Sequence, residues 1–292
     1  MNRRALLVGG SGRLGSAIRS GWTDYDVAAP ARAELELEDA TAMAAAIARV
    51  EPDVVVNCAA FHDVDRCEEF PDRALAINAI AVERTARACR EAGIAFVTLG
   101  TDYVFDGRAG RPYAEDSAPH PLSAYGISKL AGELLLERLG PGSLVVRTCG
   151  LYGRPRNPAA GGAFVDHLIA QARAGERIRV VSDAIVSPTF AGDLADAIRA
   201  LVEIKASGLY HAANAGAVSW YEFAVELLSQ AGIESEVVPI RLADWKAAAR
   251  RPAFSALDSG KLAAAGFAMP SWQRGIERYL QLFRLSGMPS SP

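Results

Sequence analysis

The stretch RRALLVGGSGRLGSAI, residues 3–18, joins a short apolar run to closely spaced glycines. The run over 4–10 is typical of a buried strand, and the residues that follow predict a helix over 12–22. Glycine at 9, 12 and 15 gives GxxGxxG, while glycine at 10, 12 and 15 gives GxGxxG. Such spacing lets the backbone approach a pyrophosphate at a helix N-terminus, so it predicts a dinucleotide-binding loop. An ordinary glycine-rich turn is the competing interpretation. The loop residues expected to contact the cofactor are Gly9, Ser11, Gly12, Arg13, Leu14 and Gly15.

Further apolar runs alternate with helical patterns up to about residue 150. The predicted strands are 24–30, 53–60, 94–101 and 143–150, and the predicted helices between them are 40–50, 71–91 and 124–139. This alternation predicts an α/β fold with a doubly wound, parallel, Rossmann-type sheet. Beyond residue 150 the elements are mixed, with helices expected at 164–174, 190–204, 219–231 and 272–284 and strands at 177–181, 208–213 and 235–240.

This pattern suggests two domains. Residues 1–150 should form the dinucleotide-binding domain, which also takes in parts of 178–215, and residues 151–292 should form mainly a smaller mixed α/β substrate-binding lobe. Irregular stretches are expected at 105–123 and 153–163, and long loops in compact α/β proteins are often functional.

Composition argues against several classes of function. The chain has 292 residues, is 50% hydrophobic and carries a net charge of −3, which disfavours nucleic acid or a membrane surface as the main partner. No apolar run approaches the roughly 20 residues that span a bilayer, and the first run is too short for a signal peptide. Four scattered cysteines without CxxC spacing indicate reduced thiols and a cytoplasmic protein. The cluster FHDVDRCEE, 61–69, fits no standard zinc spacing, so we predict no metal site.

The end of the second predicted strand bears on the choice between NADPH and NADH. It reads DVAAPARAELELED, 26–39, with no acid at 28–31 to accept a hydrogen bond from a ribose hydroxyl. Arg32 follows, and Arg13 in the glycine loop is a second cation for a 2′-phosphate, so NADPH is favoured over NADH. The competing interpretation makes both arginines solvated surface residues. Glu36 and Leu37 are expected to flank the adenine.

A tyrosine and a lysine four residues apart lie in SAYGISKLAGE, residues 123–133. This spacing places Tyr125 and Lys129 on one face of a helix, where a nearby ammonium group should lower the phenol pKa from its usual value near 10. VTLGTDYVFDG, 97–107, ends the fourth strand and puts Thr101 at the edge of a parallel sheet where ligands bind. Together the three side chains predict carbonyl reduction, with hydride from a nicotinamide and a proton from Tyr125.

Ordered blocks along nearly the whole chain resemble a known family. The glycine loop, NCAA (57–60), Asn78, TDYVFDG and YGISK match extended short-chain dehydrogenases/reductases. TDYVFDG, PLSAYGISKLAGE, RTCGLYG, SPTFAGDLADAI, GLYHAANAG and RRPAFSALD recur in the order of the dTDP-4-dehydrorhamnose reductase family. The resemblance implies NADPH-dependent reduction of the 4-keto group of a nucleotide-linked 6-deoxyhexose, the last step in making dTDP-L-rhamnose.

The resemblance also implies roles for single residues. Thr101, Tyr125 and Lys129 would be catalytic; Thr101 would also bind the substrate, and Tyr125 and Lys129 would also bind the cofactor. The further cofactor contacts would be Ala59, Ala60, Phe61, His62, Asn78 and Leu99. The substrate site would include Asp102, Tyr103, Phe105 and Gly150, with Arg251 on the nucleotide diphosphate unless it is a surface arginine.

Three departures from the family pattern concern the substrate side and the first helix. Gly150 replaces a common tryptophan, Ala163 replaces a common asparagine, and the first helix lacks the metal-binding glutamates of some members.

Two other functions remain open at the level of sequence. A sugar-nucleotide epimerase would use the same Tyr–Lys pair, whereas a dehydratase would need a glutamate where Tyr103 stands. A non-catalytic NADP-binding regulatory subunit, like that of methionine adenosyltransferase, shares the same family resemblance. The expected partner is a nucleotide sugar, and the sequence leaves monomer and homodimer open.

Overall fold

The computed structural model describes residues 3–154 and 164–285. The strands are β1 (Arg3–Val8), β2 (Tyr25–Ala28), β3 (Val54–Asn57), β4 (Ala95–Thr101), β5 (Ser143–Thr148), β6 (Ile178–Val181), β7 (Ile185–Val186), β8 (Gly208–His211), β9 (Val218–Ser219) and β10 (Val237–Ile240). The helices are α1 (Arg13–Gly21), α2 (Ala40–Val50), α3 (Val64–Glu69), α4 (Pro71–Leu75), α5 (Val82–Glu91), α6 (Ala124–Leu139), α7 (Phe164–Arg173), α8 (Ala191–Glu203), α9 (Trp220–Ala231), α10 (Gly260–Ala264) and α11 (Trp272–Leu285).

The main sheet has six strands in the order β2-β1-β3-β4-β5-β8, and every pair in it is parallel. Consecutive side chains of a strand point to opposite faces of the sheet, so a continuous apolar run indicates that both faces are buried. Leu7 of β1 packs in the cluster formed with α1 and α8, while the neighbouring Leu6 packs with α2, α5 and α6. Helices therefore cover both faces, which confirms the predicted doubly wound sheet.

The edge strand β8 comes from the second half of the chain. It pairs with β5 through the register Leu144↔Gly208 to Arg147↔His211, and α8 packs beside α1 on the same face of the sheet. The remaining strands form two small sheets, β6 with β10 in parallel and β7 with β9 antiparallel. A separate apolar cluster of α7, α9 and α11 surrounds Phe223 and Tyr279. The division into two domains remains a prediction.

The helix predicted over 71–91 is helical throughout but changes its winding. Pro71 opens α4 at its first turn, the segment Ala76–Ala81 is π-helical, and α5 follows. At Gly132 of α6 an added Cβ would overlap the Asn78 carbonyl oxygen, so a glycine lets the two helices approach there. A π segment inside an α-helix often accompanies a functional position, and this one carries Asn78.

Several short elements escaped the sequence pattern. These are α3, α10, β7 and β9, each six residues or shorter and too brief for a clear period. The predicted loop over 105–123 is irregular, as expected, and is tied to the rest of the chain by a bridge from Tyr113 to Leu257. Of the predicted loop over 153–163, residues 155–163 lie outside the described part. Within the described residues, no helix is long and apolar enough to cross a membrane.

Candidate active site

The glycine loop between β1 and α1 forms a backbone turn with an open helix end. Gly9 has φ +77° and its carbonyl accepts a hydrogen bond from the Gly12 amide at 3.0 Å. A Cβ at Gly15 would lie 2.6 Å from the Gly10 Cα, so only glycine allows α1 to start this close to the loop. Gly12 caps α1 without a side-chain bond, and the first turn carries no acid. The amides of the first turn of α1 and the helix dipole fit a pyrophosphate.

A cleft of about 550 Å³ opens beside this loop, at the carboxyl ends of β1, β3, β4 and β5. The residues predicted for the site that line it are Gly12, Arg13, Leu14, Ala59, Ala60, His62, Leu99, Thr101, Asp102, Tyr103, Tyr125, Lys129 and Gly150. Ligands of open α/β sheets bind at this edge. The structure therefore brings the glycine loop, the Tyr–Lys pair and Thr101 around one space.

The start of α6 fixes the position of Tyr125. Ser123 caps the helix by accepting a hydrogen bond from the Gly126 amide at 3.2 Å, and Glu68 accepts one from the Ala124 amide at 2.8 Å. A Cβ at Gly126 would overlap the Tyr103 carbonyl oxygen, so glycine lets α6 pack against the end of β4. The Tyr103 and Tyr125 rings then meet edge to face at 5.9 Å.

The electrostatics of the pair differ from the sequence prediction. Burial raises the pKa of Tyr125, a hydrogen bond with Thr101 lowers it, and the nearby Asp102 charge raises it further. Burial also lowers the pKa of Lys129 to about 8, against a smaller opposing effect of Glu133. The predicted lowering of the phenol pKa is therefore wrong: desolvation raises the pKa of Tyr125, and the group that lowers it is Thr101 rather than Lys129. Tyr125 consequently keeps its proton at neutral pH, which is the form that can donate one.

Asn78 does not line the cleft. Its Oδ1 accepts a hydrogen bond from the Phe61 amide at 2.9 Å, and its Nδ2 donates to the Phe61 carbonyl and to Ser128 Oγ, both at 3.0 Å. The side chain is 2% exposed, so its polar atoms are fully occupied inside the protein. The predicted direct cofactor contact is replaced by a clamp on residues 59–62, three of which line the cleft. Phe61 itself lies outside the cleft lining, between the guanidinium groups of Arg66 and Arg73.

The residues expected around the adenosine take two different positions. Arg32 is exposed and its Nε donates to Glu36 Oε1 at 3.2 Å, so the two side chains form a surface ion pair. Leu37 is 8% exposed and packs in the core with Leu6 and Met43. The predicted packing of Leu37 on the adenine is therefore wrong, because the chain after β2 turns this side chain inward.

Phe105 and Asp102, both assigned to the sugar site, are buried. Phe105 is 0% exposed and stacks on Tyr113 at 4.1 Å, which makes it a core residue rather than a substrate contact. Asp102 reaches the cleft wall but is 4% exposed. Its carboxyl group accepts hydrogen bonds from Ser255 Oγ at 2.6 Å and Cys149 Sγ at 3.1 Å.

A second cavity, also of about 550 Å³, adjoins the cleft through Tyr103, Val186 and Trp220. Arg177, Arg179 and Arg251 lie in its wall, as do the rings of Phe164 and Trp245. Arg251 forms a bidentate pair with Asp65 of α3, at 3.2 and 3.1 Å. Three cations beside aromatic rings can accommodate an anionic, planar ligand, and the predicted diphosphate residue Arg251 belongs to this set.

Gly150 lines the cleft beside Trp220, whose side chain borders both cavities. It has φ +53°, and an added Cβ would lie 2.8 Å from Cη2 of Trp220. Trp220 begins α9, directly after the N-cap Ser219, which forms a capping box with Glu222. An aromatic ring from another part of the chain therefore covers the position at which the family pattern has a tryptophan. Ala163, the other substrate-side departure, lies outside the described residues.

Several residues that line these cavities were not predicted. They include Thr148 and Trp220 in the cleft and Arg177, Arg179 and Ser255 in the second cavity. Arg179 alternates with the buried Ile178 and Val180 on β6, and a cation in an otherwise apolar strand was a usable signal. Ser255 lies in the quoted block RRPAFSALD, four residues from Arg251. Trp220 offered no local pattern, because its position depends on tertiary packing.

Comparison with known proteins agrees with this geometry. The family model "RmlD substrate binding domain" matches residues 3–285. A dTDP-4-dehydrorhamnose reductase of Streptomyces griseus is 36% identical over 98% of this chain and 96% of its own length. A dTDP-4-keto-6-deoxy-D-glucose reductase of Streptomyces niveus is 37% identical over 77% of each chain.

Structural comparison leads to the same family. The crystal structure of dTDP-4-dehydrorhamnose reductase from Bacillus anthracis in complex with NADP superimposes with a TM-score of 0.91 at 34% identity, covering 96% of this chain and 99% of that one. With the family model matching almost the whole sequence, this chain belongs to the RmlD substrate binding domain family, that of the dTDP-4-dehydrorhamnose reductases.

Proposed function

We propose that this protein is an NADPH-dependent reductase of the 4-keto group of a nucleotide-linked 6-deoxyhexose. The observation that carries the proposal is the convergence of Thr101, Tyr125 and Lys129 on one cleft beside the glycine loop. The sequence similarity to reductases of such sugars supports the substrate class. The family's reaction in dTDP-L-rhamnose synthesis is the specific form we propose.

The reaction needs a proton for the carbonyl oxygen and a cation that stabilises the phenolate formed when the proton donor is a tyrosine. When bound, the dihydronicotinamide supplies the hydride to the carbonyl carbon. Tyr125 gives its phenolic proton to the keto oxygen, which becomes the alcohol of the product. Thr101 donates a hydrogen bond to the same oxygen. Lys129, with a pKa of about 8, is mostly protonated at neutral pH and stabilises the Tyr125 phenolate.

The cofactor and the substrate occupy different parts of the site. The glycine loop and the open N-terminus of α1 hold the cofactor pyrophosphate, and residues 59–62 hold its middle part. Arg32 leaves its ion pair with Glu36 and binds the 2′-phosphate instead. This contact favours NADPH over NADH. The nucleotide diphosphate of the substrate lies in the second cavity, where Arg251 and Arg179 neutralise it and Trp245 packs on the base.

The surroundings in which the enzyme acts are part of the proposal. None of the four cysteines forms a disulfide, which supports a cytoplasmic enzyme. Its partner is the nucleotide sugar, and it works as a monomer or a homodimer without nucleic acid or membrane.

A direct test follows NADPH oxidation at the nicotinamide absorbance band with a dTDP-4-keto-6-deoxyhexose as substrate. We expect one NADPH consumed per sugar and a loss of about 10²–10⁴-fold in kcat for Tyr125→Phe, since general acid catalysis contributes on that scale. Tyr210→Phe, whose ring packs against Lys261, is the matched control and should retain the wild-type rate.

Other outcomes of the same assay point to other functions. Conversion of the sugar to its epimer without net cofactor oxidation would indicate an epimerase. Binding of NADPH without any turnover of the wild-type protein would indicate a regulatory subunit. Either result would refute the reductase proposal.

A further inference from the structure

A buried chain of polar groups runs from the C-terminal half of the protein to the predicted catalytic residues. Ser255 donates to Oδ2 of Asp102 at 2.6 Å, and Cys149 donates to the same oxygen at 3.1 Å. Oδ1 of Asp102 lies 3.2 Å from the hydroxyl of Thr101. Asp102 is 4% exposed, and in the described part of the chain none of its hydrogen-bond partners is a cation. A buried carboxylate with only neutral partners is costly to ionise.

The hydrogen-bond capacity of Thr101 limits what this chain can do. A hydroxyl group has one proton to donate and two lone pairs to accept with. The Thr101 oxygen already accepts a hydrogen bond from the Tyr103 amide at 3.2 Å. If Asp102 is ionised, the single Thr101 proton goes to Oδ1 and none remains for the cleft. If Asp102 is protonated on Oδ1, it fills the second lone pair, and the Thr101 proton points to the cleft side, where the Tyr125 hydroxyl is its hydrogen-bond partner.

We propose that Asp102 is a neutral carboxylic acid that donates its proton to Thr101 in a hydrogen bond and so directs the Thr101 hydroxyl toward the substrate keto oxygen. Asp102 keeps this proton throughout the reaction and acts as a positioning residue, not as the acid. Ser255 and Cys149 hold its carbonyl oxygen in place. The inference rests on the proposed reductase function, because it assigns the Thr101 hydrogen bond to a carbonyl substrate.

Burial and the neighbouring tyrosines favour the neutral form of Asp102. Burial raises the pKa of Asp102, and its hydrogen bonds with Ser255, Cys149 and Thr101 only partly oppose this effect. The Asp102 charge raises the pKa of Tyr125 on α6, and that of Tyr103 beside it. An anion at Asp102 would therefore oppose proton release from Tyr125, whereas a neutral acid would not.

The other titratable or charged groups on neighbouring elements are few. They are Cys149 after β5, Lys129 and Glu133 on α6, and Arg251, which lies beside Tyr103. Burial raises the pKa of Cys149 well above its usual value, so the thiol also stays neutral. No hydrogen bond or ion pair described for Lys129 or Arg251 reaches the Asp102 carboxyl.

The protonation state can be read without turnover. The wild-type enzyme is labelled with ¹³C at the aspartate carboxyl carbons, and the Asp102 resonance is identified by its loss in Asp102→Asn. We expect it to have the chemical shift of a carboxylic acid at pH 7. Asp106, whose pKa is lowered by hydrogen bonds from the Arg108 amide and Tyr113, is the internal control and should be a carboxylate. A carboxylate shift for Asp102 at pH 7 would overturn the proposal.

Kinetics of two variants test the role in catalysis. Asp102→Val removes the hydrogen bond, and we expect kcat to fall about 10²–10³-fold, the cost of losing one donor to a developing oxyanion. Asp102→Asn is neutral and can still donate to Thr101, so its loss should be at least about tenfold smaller. Both variants should bind NADPH as the wild type does. Equal losses in the two variants would contradict the assigned direction of the hydrogen bond.

These measurements separate the two proposals. If the wild-type enzyme reduces no 4-keto sugar nucleotide, the reductase function fails while the carboxyl resonance still reports the state of Asp102. If the enzyme is a reductase and the resonance is that of a carboxylate, only the inference on Asp102 fails. The labelled wild-type protein also decides the matter if Asp102→Val does not fold.

Discussion

Replacing Asn78 by alanine should loosen the cofactor loop without touching the cofactor. The side chain makes three buried hydrogen bonds, two to the backbone of Phe61 and one to Ser128. At about 0.5–1.5 kcal/mol each, their loss should lower the free energy of unfolding by about 3 kcal/mol. Two of the three hydrogen bonds order the loop 59–62. In the variant, up to about 2 kcal/mol of the free energy of NADPH binding must then be used to order this loop. We therefore expect NADPH to bind roughly tenfold or more weakly.

The assay combines urea denaturation with a fluorescence titration of NADPH, at a temperature where the variant is folded. Asn214→Ala is the matched control, because Asn214 is also fully buried and makes three side-chain hydrogen bonds, to Phe190, Asp193 and Pro270. It should lose at least as much stability but keep its affinity for NADPH.

Two results would refute this reasoning. Equal loss of NADPH affinity in both variants would mean that general loosening, not the loop, sets the affinity. A fall in affinity for Asn78→Ala with amide exchange at residues 59–62 as slow as in the wild type would mean that Asn78 acts by direct contact.

Three further substitutions test separate parts of the site. Lys129→Met should abolish most of the reductase activity yet raise the free energy of unfolding by up to about 3 kcal/mol at pH 7, since burial lowers the pKa of Lys129 to about 8. Because the unfolded lysine binds a proton up to its higher usual pKa, the stability of the wild-type protein should rise with pH above 8. A stability from urea denaturation that does not change with pH above 8 would contradict this. Gly150→Ala should displace Trp220 and raise the KM of the nucleotide sugar while the Kd of NADPH stays the same, as measured by steady-state kinetics and titration. Arg32→Ala should raise the KM of NADPH about tenfold and leave that of NADH unchanged, whereas equal effects on both would argue against a 2′-phosphate contact.

Much of the scaffold could be predicted because its signals are local. The glycines at 9, 12 and 15 stand in one turn, and Tyr125 and Lys129 share one helical face, so spacing alone places them. The inner strands β1, β3, β4 and β5 of the parallel sheet each contain a continuous apolar run, which the sequence displays directly.

The errors have a common physical origin in tertiary packing. Leu37 has the same local surroundings whether it meets adenine or the core, and only the path of the chain after β2 decides between them. Asn78 is drawn into hydrogen bonds with a loop 17 residues away. The pKa of Tyr125 depends on burial by distant segments, which no local pattern reports. The partners of Asp102 likewise come from residues 149 and 255.

The edge strand β8 has a consequence for how the chain folds during synthesis. It supplies residues 208–211 to a sheet whose other five strands are complete by residue 148, and α8 must arrive to cover α1. Until about residue 212 has left the ribosome, β5 has an unpaired edge and the apolar face of α1 is exposed, a state prone to strand-to-strand association. The six-stranded sheet is therefore completed only after residues 208–211 have been synthesised.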